Sequence, residues 1–319
     1  MNMPRVSIII PCHNAEPYVR EAIQSALDQT YPHVEIVVID DGSTDGSPDI
    51  IRSFGDRIRW ETGPNGGAAA ARNRGLAIST GQMIQFADAD DLLNPHKIER
   101  QMKQVLAKSG DMVYSDGNTI GTASEGDEPR YVYPEPDGDP LLFLMKTNLA
   151  TPSPLHWKEH LVAVGGFRTD LVCAQEYDLH LRLACRGLSL RHVPEQLFSV
   201  RRVRDSVSSN YSRVLQQYPI ILGPIYEKLQ AGGGLNEERK KAFAETMARA
   251  ARHCIRVGSA ENGLRFFEQA RRMHPDGGLG VYRRPARLLR HFLGPVLTER
   301  IVMFVRRHRK TTREQPGRS

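Results

Sequence analysis

No apolar run in this chain approaches the roughly 20 residues of a bilayer-spanning helix. The longest, Val6 to Pro11 and Ile36 to Ile39, are only a few residues long, so a chain that spans a membrane is not expected. A basic segment followed by a long apolar one is missing from the N-terminus, and secretion is not expected either. Cysteine is scarce. Cys12, Cys173, Cys185 and Cys254 never fall into a CxxC spacing, which speaks for reduced thiols in a cytosol and against a zinc site or a disulfide framework. No Gly-rich phosphate turn follows the first strand-like run, which enters Pro11-Cys12-His13-Asn14 instead, and this argues against a nicotinamide dehydrogenase. The arginines near the C-terminus are not interleaved with base-stacking aromatics, so nucleic acid is not an expected partner.

What is present is a globular composition: 40% apolar and 25% charged residues in 319, a length that suggests about two domains. The net charge of +6 is unevenly placed. Between Tyr282 and Ser319, eleven lysines and arginines face only Glu299 and Glu314, a net of +9 that leaves −3 for residues 1–281. The basic excess belongs to the tail.

Over the first 120 residues short β-rich runs alternate with helical patterns. Val6 to Ile10, Val34 to Ile39, Ile58 to Glu61 and Met83 to Ala87 read as strands; Pro17 to Gln29, Ser47 to Phe54 and Ala68 to Ser79 read as helices. Such alternation predicts an α/β fold with a largely parallel sheet covered by helices, and a ligand site at the carboxyl ends of its strands. Gly121 to Asp139 reads as a long surface loop, Tyr177 to Arg186 as a helix and Leu190 to Val203 as an extended segment.

The predicted strands end in polar residues that a purely structural sheet does not need. Pro11-Cys12-His13-Asn14 follows the first, Asp40-Asp41-Gly42-Ser43 the second and Asp88-Ala89-Asp90-Asp91 the fourth, while Asn65-Gly66-Gly67 leads into Arg72. Each taken alone has a bland reading as a turn, a helix cap or an acidic surface. In an extended segment Asp88 and Asp90 point to the same side, where they can share a hard cation and ribose hydroxyls. Asp91 is read as the cap of the following helix, which Pro95 opens.

In this order the motifs resemble family 2 glycosyltransferases over about residues 4 to 210. The resemblance implies a GT-A fold with a nucleotide-sugar-binding half (1–115) and an acceptor half (116–210), followed by a helical region (211–319). It implies inverting transfer of a sugar from a nucleoside diphosphate donor, with UDP favoured, to an acceptor hydroxyl in cell-surface polysaccharide or glycoconjugate synthesis. Pro11, His13 and Asp41 match positions that hold the nucleobase; Asn14 and Glu16 extend that loop, Glu16 toward the ribose. Gly66 and Gly67 let the backbone approach the donor. Arg72 pairs with phosphate or with Asp88, and Arg201 and Arg204 are phosphate contacts or a solvated loop. Asp90 is the metal ligand, with Asp88 a second ligand or ribose contact, for Mn²⁺ or Mg²⁺. Glu176 stands where the family's general base stands, with Gln175 in place of the acid that usually precedes it. The alternative for Glu176 is a charge at a helix N-terminus, and Asp178 is structural.

Beyond residue 210 the pattern is helical: Ser212 to Leu229, then Glu237 to Val257 and Ala260 to His274, a pair whose small residues resemble one tetratricopeptide-type hairpin. Residues 282–310 are basic, amphipathic and broken by Gly294-Pro295. They read as a segment on an anionic membrane surface, so that the chain is cytoplasmic and peripheral to the inner face, or else as a helix packed on the protein. The competing functional reading is a noncatalytic nucleotide-sugar-binding or scaffold protein that recruits partners through this helical region.

Overall fold

β1 (Val6–Cys12) is buried along its whole length, as its Val-Ser-Ile-Ile-Ile run, polar only at Ser7, suits a strand covered on both faces. It lies inside a mixed eight-stranded sheet with β2 (Val34–Asp40), β3 (Arg59–Thr62), β4 (Met83–Phe86), β5 (Leu92–Leu93), β6 (Asp111–Ile120), β7 (Leu155–Trp157) and β8 (Ser189–Arg201), in the order β3-β2-β1-β4-β7-β6-β8-β5. This computed structural model describes residues 3–105, 111–121, 131–202 and 211–311. Arg204 lies outside the described residues.

β1 pairs parallel with β2 and β4, and β2 with β3, so the polar ends of all four emerge at one edge: Cys12 stands opposite Asp40, and Asp40 opposite Thr62. Beyond β4 the sheet changes character. β7 runs antiparallel between β4 and β6, β8 runs parallel to β6, and β5 caps β8 antiparallel. The helices that cover the first four strands are α1 (Val19–Leu27), α2 (Ser47–Arg52) and α3 (Ala68–Ile78). α1 buries Val19, Ala22, Ile23 and Ala26, one stripe at helical spacing. α3 comes close to β1 because residue 75 is glycine: a Cβ there would fall on Ile9 Cγ2.

α4 (Lys97–Gln104) holds a lysine in the interior. Lys97 is fully buried, donates to Gln101 Oε1 (2.8 Å) and the Ser153 carbonyl (2.9 Å), and burial pushes its pKa well down. Then come α5 (Pro140–Lys146), α6 (Lys158–Ala163) and α7 (Gln175–Ala184). The expected loop between Gly121 and Asp139 is fastened where it is described. Tyr131 exchanges both backbone hydrogen bonds with Gly117 (2.9 Å), and Tyr133 donates its N–H to Asp116 Oδ1 (2.9 Å). Tyr131 thus forms a bridge to β6, and residues 122–130 of the expected loop lie outside the described residues.

Chain contacts divide the molecule into Met1–Ser206 and Val207–Ser319. The second unit is helical: α8 (Tyr211–Ala231), α9 (Glu237–Arg256), α10 (Ala260–Met273) and α11 (Arg284–Thr311). α8 continues through Pro219 and Pro224, held by buried Leu215, Ile221, Leu222 and Ile225. Asn236 caps α9 by accepting the Arg239 N–H at 2.8 Å. α11 is two helical pieces joined at Gly294, whose φ of 71° only glycine adopts easily. One side of it is packed. Glu299, fully buried, accepts from Arg252 (2.6 Å) and Arg256 (2.7 Å) of α9, and Arg290 lies over the rings of Phe267 (4.1 Å) and Tyr282 (5.2 Å).

Candidate active site

The loop after β1 is built as a small hydrogen-bonded frame. His13 Nδ1 lies 3.0 Å from the Asp41 carbonyl, which only accepts, so Nδ1 carries the proton and Nε2 accepts from the Asn65 amide at 3.1 Å. Asn14 adopts a left-handed backbone (φ 50°) and spans to the loop after β2, its Oδ1 accepting the Thr44 N–H at 2.8 Å. Glu16, expected near a ribose, accepts the Gly46 N–H at 2.9 Å and so closes the same frame. Pro11 is the penultimate residue of β1 and is buried.

Asp41 is buried, and its two oxygens receive the N–H groups of Gly66 (3.0 Å) and Gly67 (2.8 Å). Gly67, at φ 85°, is the cap residue immediately before α3. The carboxylate therefore fixes the glycine turn in front of a helix N-terminus, and further acceptor positions on its oxygens remain for a ligand N–H. Asp40, by contrast, is spent within the fold on Ser43 N–H (3.1 Å) and the Thr62 hydroxyl (2.5 Å).

The acidic run is assembled differently from the sequence expectation. Asp88 and Asp90 do not lie in an extended segment: β4 ends at Phe86, and the Asp91 N–H reaches the Asp88 carbonyl at 3.1 Å, closing a turn. The turn, not a strand pleat, gathers the acids. Asp91 does not cap the following helix either. α4 starts at Lys97 with His96 as its cap residue, and buried Asp91 instead accepts the Arg201 N–H at 3.0 Å. Burial, and then the charge of Asp88, push the Asp90 pKa up; the same causes, with Asp90 added, push Asp91 well up. The electrostatic field here favours a cation. Arg201 supplies part of it, but it is tied down: its guanidinium donates to the Asp90 carbonyl (3.1 Å) and to Glu21 (2.6 Å) and lies over the Tyr18 ring (5.0 Å).

Among the described residues no group of three or more His, Cys, Asp or Glu side chains is arranged to hold a metal ion. Two crowded carboxylates, Asp88 and Asp90, nonetheless fit a hard divalent cation that takes its other ligands from phosphate and water, as Mg²⁺ commonly does.

Arg72 links this acidic turn to the second half of the unit. It is buried on α3, lies over Phe167 (5.3 Å), donates from Nη2 to Asp88 Oδ1 (2.6 Å) and from Nη1 to Gln175 Oε1 (3.2 Å), and forms an ion pair with Glu176 Oε1 (3.0 Å). Burial works against its charge, but Asp88 and Glu176 outweigh it and the guanidinium pKa is raised. Glu176 stands in the first turn of α7, which begins from Ala174 in a left-handed conformation (φ 59°), and its Oε1 also accepts from the Thr151 hydroxyl at 3.2 Å. Asp178 is buried between Arg168 (3.4 Å) and Arg182 (2.7 Å), a position inside the protein. Thr151, Glu21 and Tyr18 carry no local sequence signal of a role.

The structure thus brings Asp88, Asp90, Arg72, Gln175 and Glu176 into one connected group, and Pro11, His13, Asn14, Glu16, Asp41 and Gly67 into a second at the ends of β1 and β2. Such a site offers hydrogen-bond acceptors for a base, backbone N–H groups at the start of a helix, carboxylates for a cation, and one carboxylate apart for proton removal.

Comparison with known proteins points the same way. The model of glycosyl transferase family 2 matches residues 7–156. An uncharacterized glycosyltransferase of Haemophilus influenzae is 40% identical over 136 residues, 41% of this chain and 54% of that protein. One of Rickettsia typhi is 32% identical over 238 residues, covering 71% and 73%. A putative teichuronic acid biosynthesis glycosyltransferase of Bacillus subtilis, TuaG, is 38% identical over 110 residues, 33% of this chain and 44% of that one. The chain therefore spans about half the length of several relatives it matches. Among solved structures, S. aureus TarS (residues 1–349) in complex with UDP-GlcNAc superposes with a TM-score of 0.72 at 17% identity, over 95% of this chain and 92% of that one. A Pyrobaculum calidifontis mannosyltransferase in complex with GDP-Man and Mn²⁺ gives 0.53 at 19%, over 94% and 87%. At these identities the structures establish likeness of fold.

Proposed function

Because the chain belongs to glycosyl transferase family 2 and has the GT-A fold, we propose that it moves a sugar from a nucleoside diphosphate donor to an acceptor hydroxyl, with inversion at the anomeric carbon. The donor base is uracil, held by Pro11, His13 and Asp41, with Asn14 and Glu16 shaping the loop toward the ribose. The observation that carries this reading is the guanidinium of Arg72, which joins Asp88 at the end of β4 to Glu176 at the start of α7.

Glu176 removes the proton from the acceptor hydroxyl as that oxygen bonds to the anomeric carbon and the bond to the diphosphate breaks. Its Oε1 is engaged by Arg72 and Thr151, which leaves Oε2 as the basic atom. Arg72 fixes the distance between donor carboxylate and base, and Gln175 supplies a further acceptor to it. Asp90 and Asp88 would hold Mn²⁺ or Mg²⁺, which neutralises charge on the departing diphosphate. Arg201 ends β8 beside the acidic turn, where a phosphate contact fits; Arg204, the other phosphate candidate, lies outside the described residues. Pairing with Gly66 and Gly67 leaves the Asp41 carboxylate room for a base N–H.

The setting is cell-surface polysaccharide or glycoconjugate synthesis, supported by the likeness to a protein named for teichuronic acid biosynthesis. The enzyme is cytoplasmic, peripheral to the inner membrane face through residues 282–310, and does not use nucleic acid; among the described residues no helix is long and apolar enough to cross a membrane.

Calorimetric titration with UDP, GDP and dTDP, each with and without Mn²⁺, tests the donor site. Metal-dependent binding of UDP that disappears in Asp90→Ala is expected. An absence of binding to all three nucleotides overturns the reading and favours a scaffold.

A further inference from the structure

α11 has one face committed and one face uncovered. On the committed side lie Arg290, stacked over Phe267 and Tyr282, and Glu299, between Arg252 and Arg256. These contacts fix the rotation of the helix and turn a defined set of apolar side chains outward. Leu288 is 65% exposed, Phe292 78% and Leu297 46%. Leu288 and Phe292 are one helical turn apart, so they present one continuous edge before the Gly294 break, and Leu297 carries apolar surface past it.

The charges beside that edge have one sign. Arg284, Arg287 and Arg300 are exposed, and the only acidic residue between Tyr282 and Val305 is Glu299, which is buried and neutralised by α9. An apolar edge with a purely cationic flank does not complement a second copy of itself, because like charges would meet. It does complement a surface that is anionic outside and apolar just beneath.

We propose that the edge formed by Leu288, Phe292 and Leu297 is the surface that inserts at the headgroup boundary of an anionic bilayer, with Arg284, Arg287 and Arg300 against lipid phosphates. The inference rests on the placement of 282–310 at a membrane and assigns which side of α11 faces the lipid. In this arrangement Glu299 and Arg290 are the keel that keeps the lipid-facing side outward, and no part of the donor site takes part.

Flotation of the full chain with vesicles of equal parts phosphatidylcholine and phosphatidylglycerol tests it, with pure phosphatidylcholine vesicles as reference. The wild type floats with the anionic vesicles and stays behind with the neutral ones. Phe292→Asp lowers the vesicle-bound fraction about tenfold, and the triple change Arg284→Gln, Arg287→Gln, Arg300→Gln lowers it about 100-fold, since each surface cation contributes about fivefold. Both sets of residues are exposed, and unchanged circular-dichroism melting confirms that the variants fold. Failure of the wild type to float overturns the membrane placement and this inference with it. Flotation that Phe292→Asp leaves unchanged overturns this inference alone. A concentration-dependent dimer abolished by Phe292→Asp would assign the edge to a second copy and overturn it as well. UDP titration of the same samples is unaffected in every arm, so loss of lipid binding is separable from failure of the donor site.

Discussion

Asp88 and Glu176 pair with different nitrogens of a single guanidinium: Arg72 Nη2 lies 2.6 Å from Asp88 and Nη1 3.0 Å from Glu176. A planar cation with two terminal nitrogens sets the spacing between Asp88 and the proposed base, and an ammonium cannot span both. Arg72→Lys should therefore fold, keep UDP binding within a few-fold, and lose about 10²-fold in kcat through misplacement of Glu176. An unchanged kcat in a steady-state transfer assay would remove Arg72 from the catalytic geometry.

Glu176→Gln preserves shape and the bond from Thr151 but cannot take a proton. Sugar transfer is expected to fall by about 10³-fold, with calorimetric UDP affinity intact. If turnover survives, Glu176 is only an anchor for Arg72.

His156 and His180 stack in the interior with ring centroids 5.5 Å apart. Burial pushes His180 down to about 3 and His156 well down, with the neighbouring His180, His160 and Lys97 adding to the latter. Both are neutral when folded and titrate near 6.5 when unfolded, so the unfolded chain binds more protons below that value. Stability is complete above pH about 6.5 and drops as pH falls, by about 2 kcal/mol per histidine at pH about 5. Urea midpoints against pH should show this slope, and His180→Gln should flatten it; parallel curves would mean that His180 is solvated.

Lys97 gives the same sign at the other end of the scale. Its folded pKa lies well below the ordinary 10.5, so stability rises as pH climbs toward that value. Lys97→Met, which removes the titration, should show no such rise, and guanidinium melts at neutral and alkaline pH decide the matter.

In the helical unit, Glu299→Leu leaves Arg252 and Arg256 facing each other without their shared acid. A loss of about 3–5 kcal/mol is expected, read as a lowered denaturation midpoint of that unit by hydrogen exchange on α9 while β1 and β4 keep their protection.

The elements most legible in the sequence were those whose signal is local. β1 and β2 carry the apolar runs Ile8 to Ile10 and Ile36 to Ile39 because both faces are covered there, and α1 repeats its apolar residues at helical spacing. β7 escaped notice, since three residues antiparallel between β4 and β6 take their identity from partners distant in sequence. The acids at 88, 90 and 91 were recognisable as a group, but their arrangement was not. A Pro95 that looks like a helix start made Asp91 resemble a cap, whereas the chain inserts the short β5 before α4 and sends Asp91 to Arg201. Likewise Thr151 lies in a stretch with no motif, and only the fold carries its hydroxyl to Glu176.

The bond from the Arg201 N–H to Asp91 joins residues 110 apart and reaches the acidic turn from the last strand of the sheet. During synthesis the first four strands can pair as soon as they emerge, but the turn that bears Asp88 and Asp90 waits for β8 before its third acid finds a donor. A nascent chain halted before β8 would thus hold the frame at the ends of β1 and β2 with an acidic turn that still lacks the Arg201 N–H.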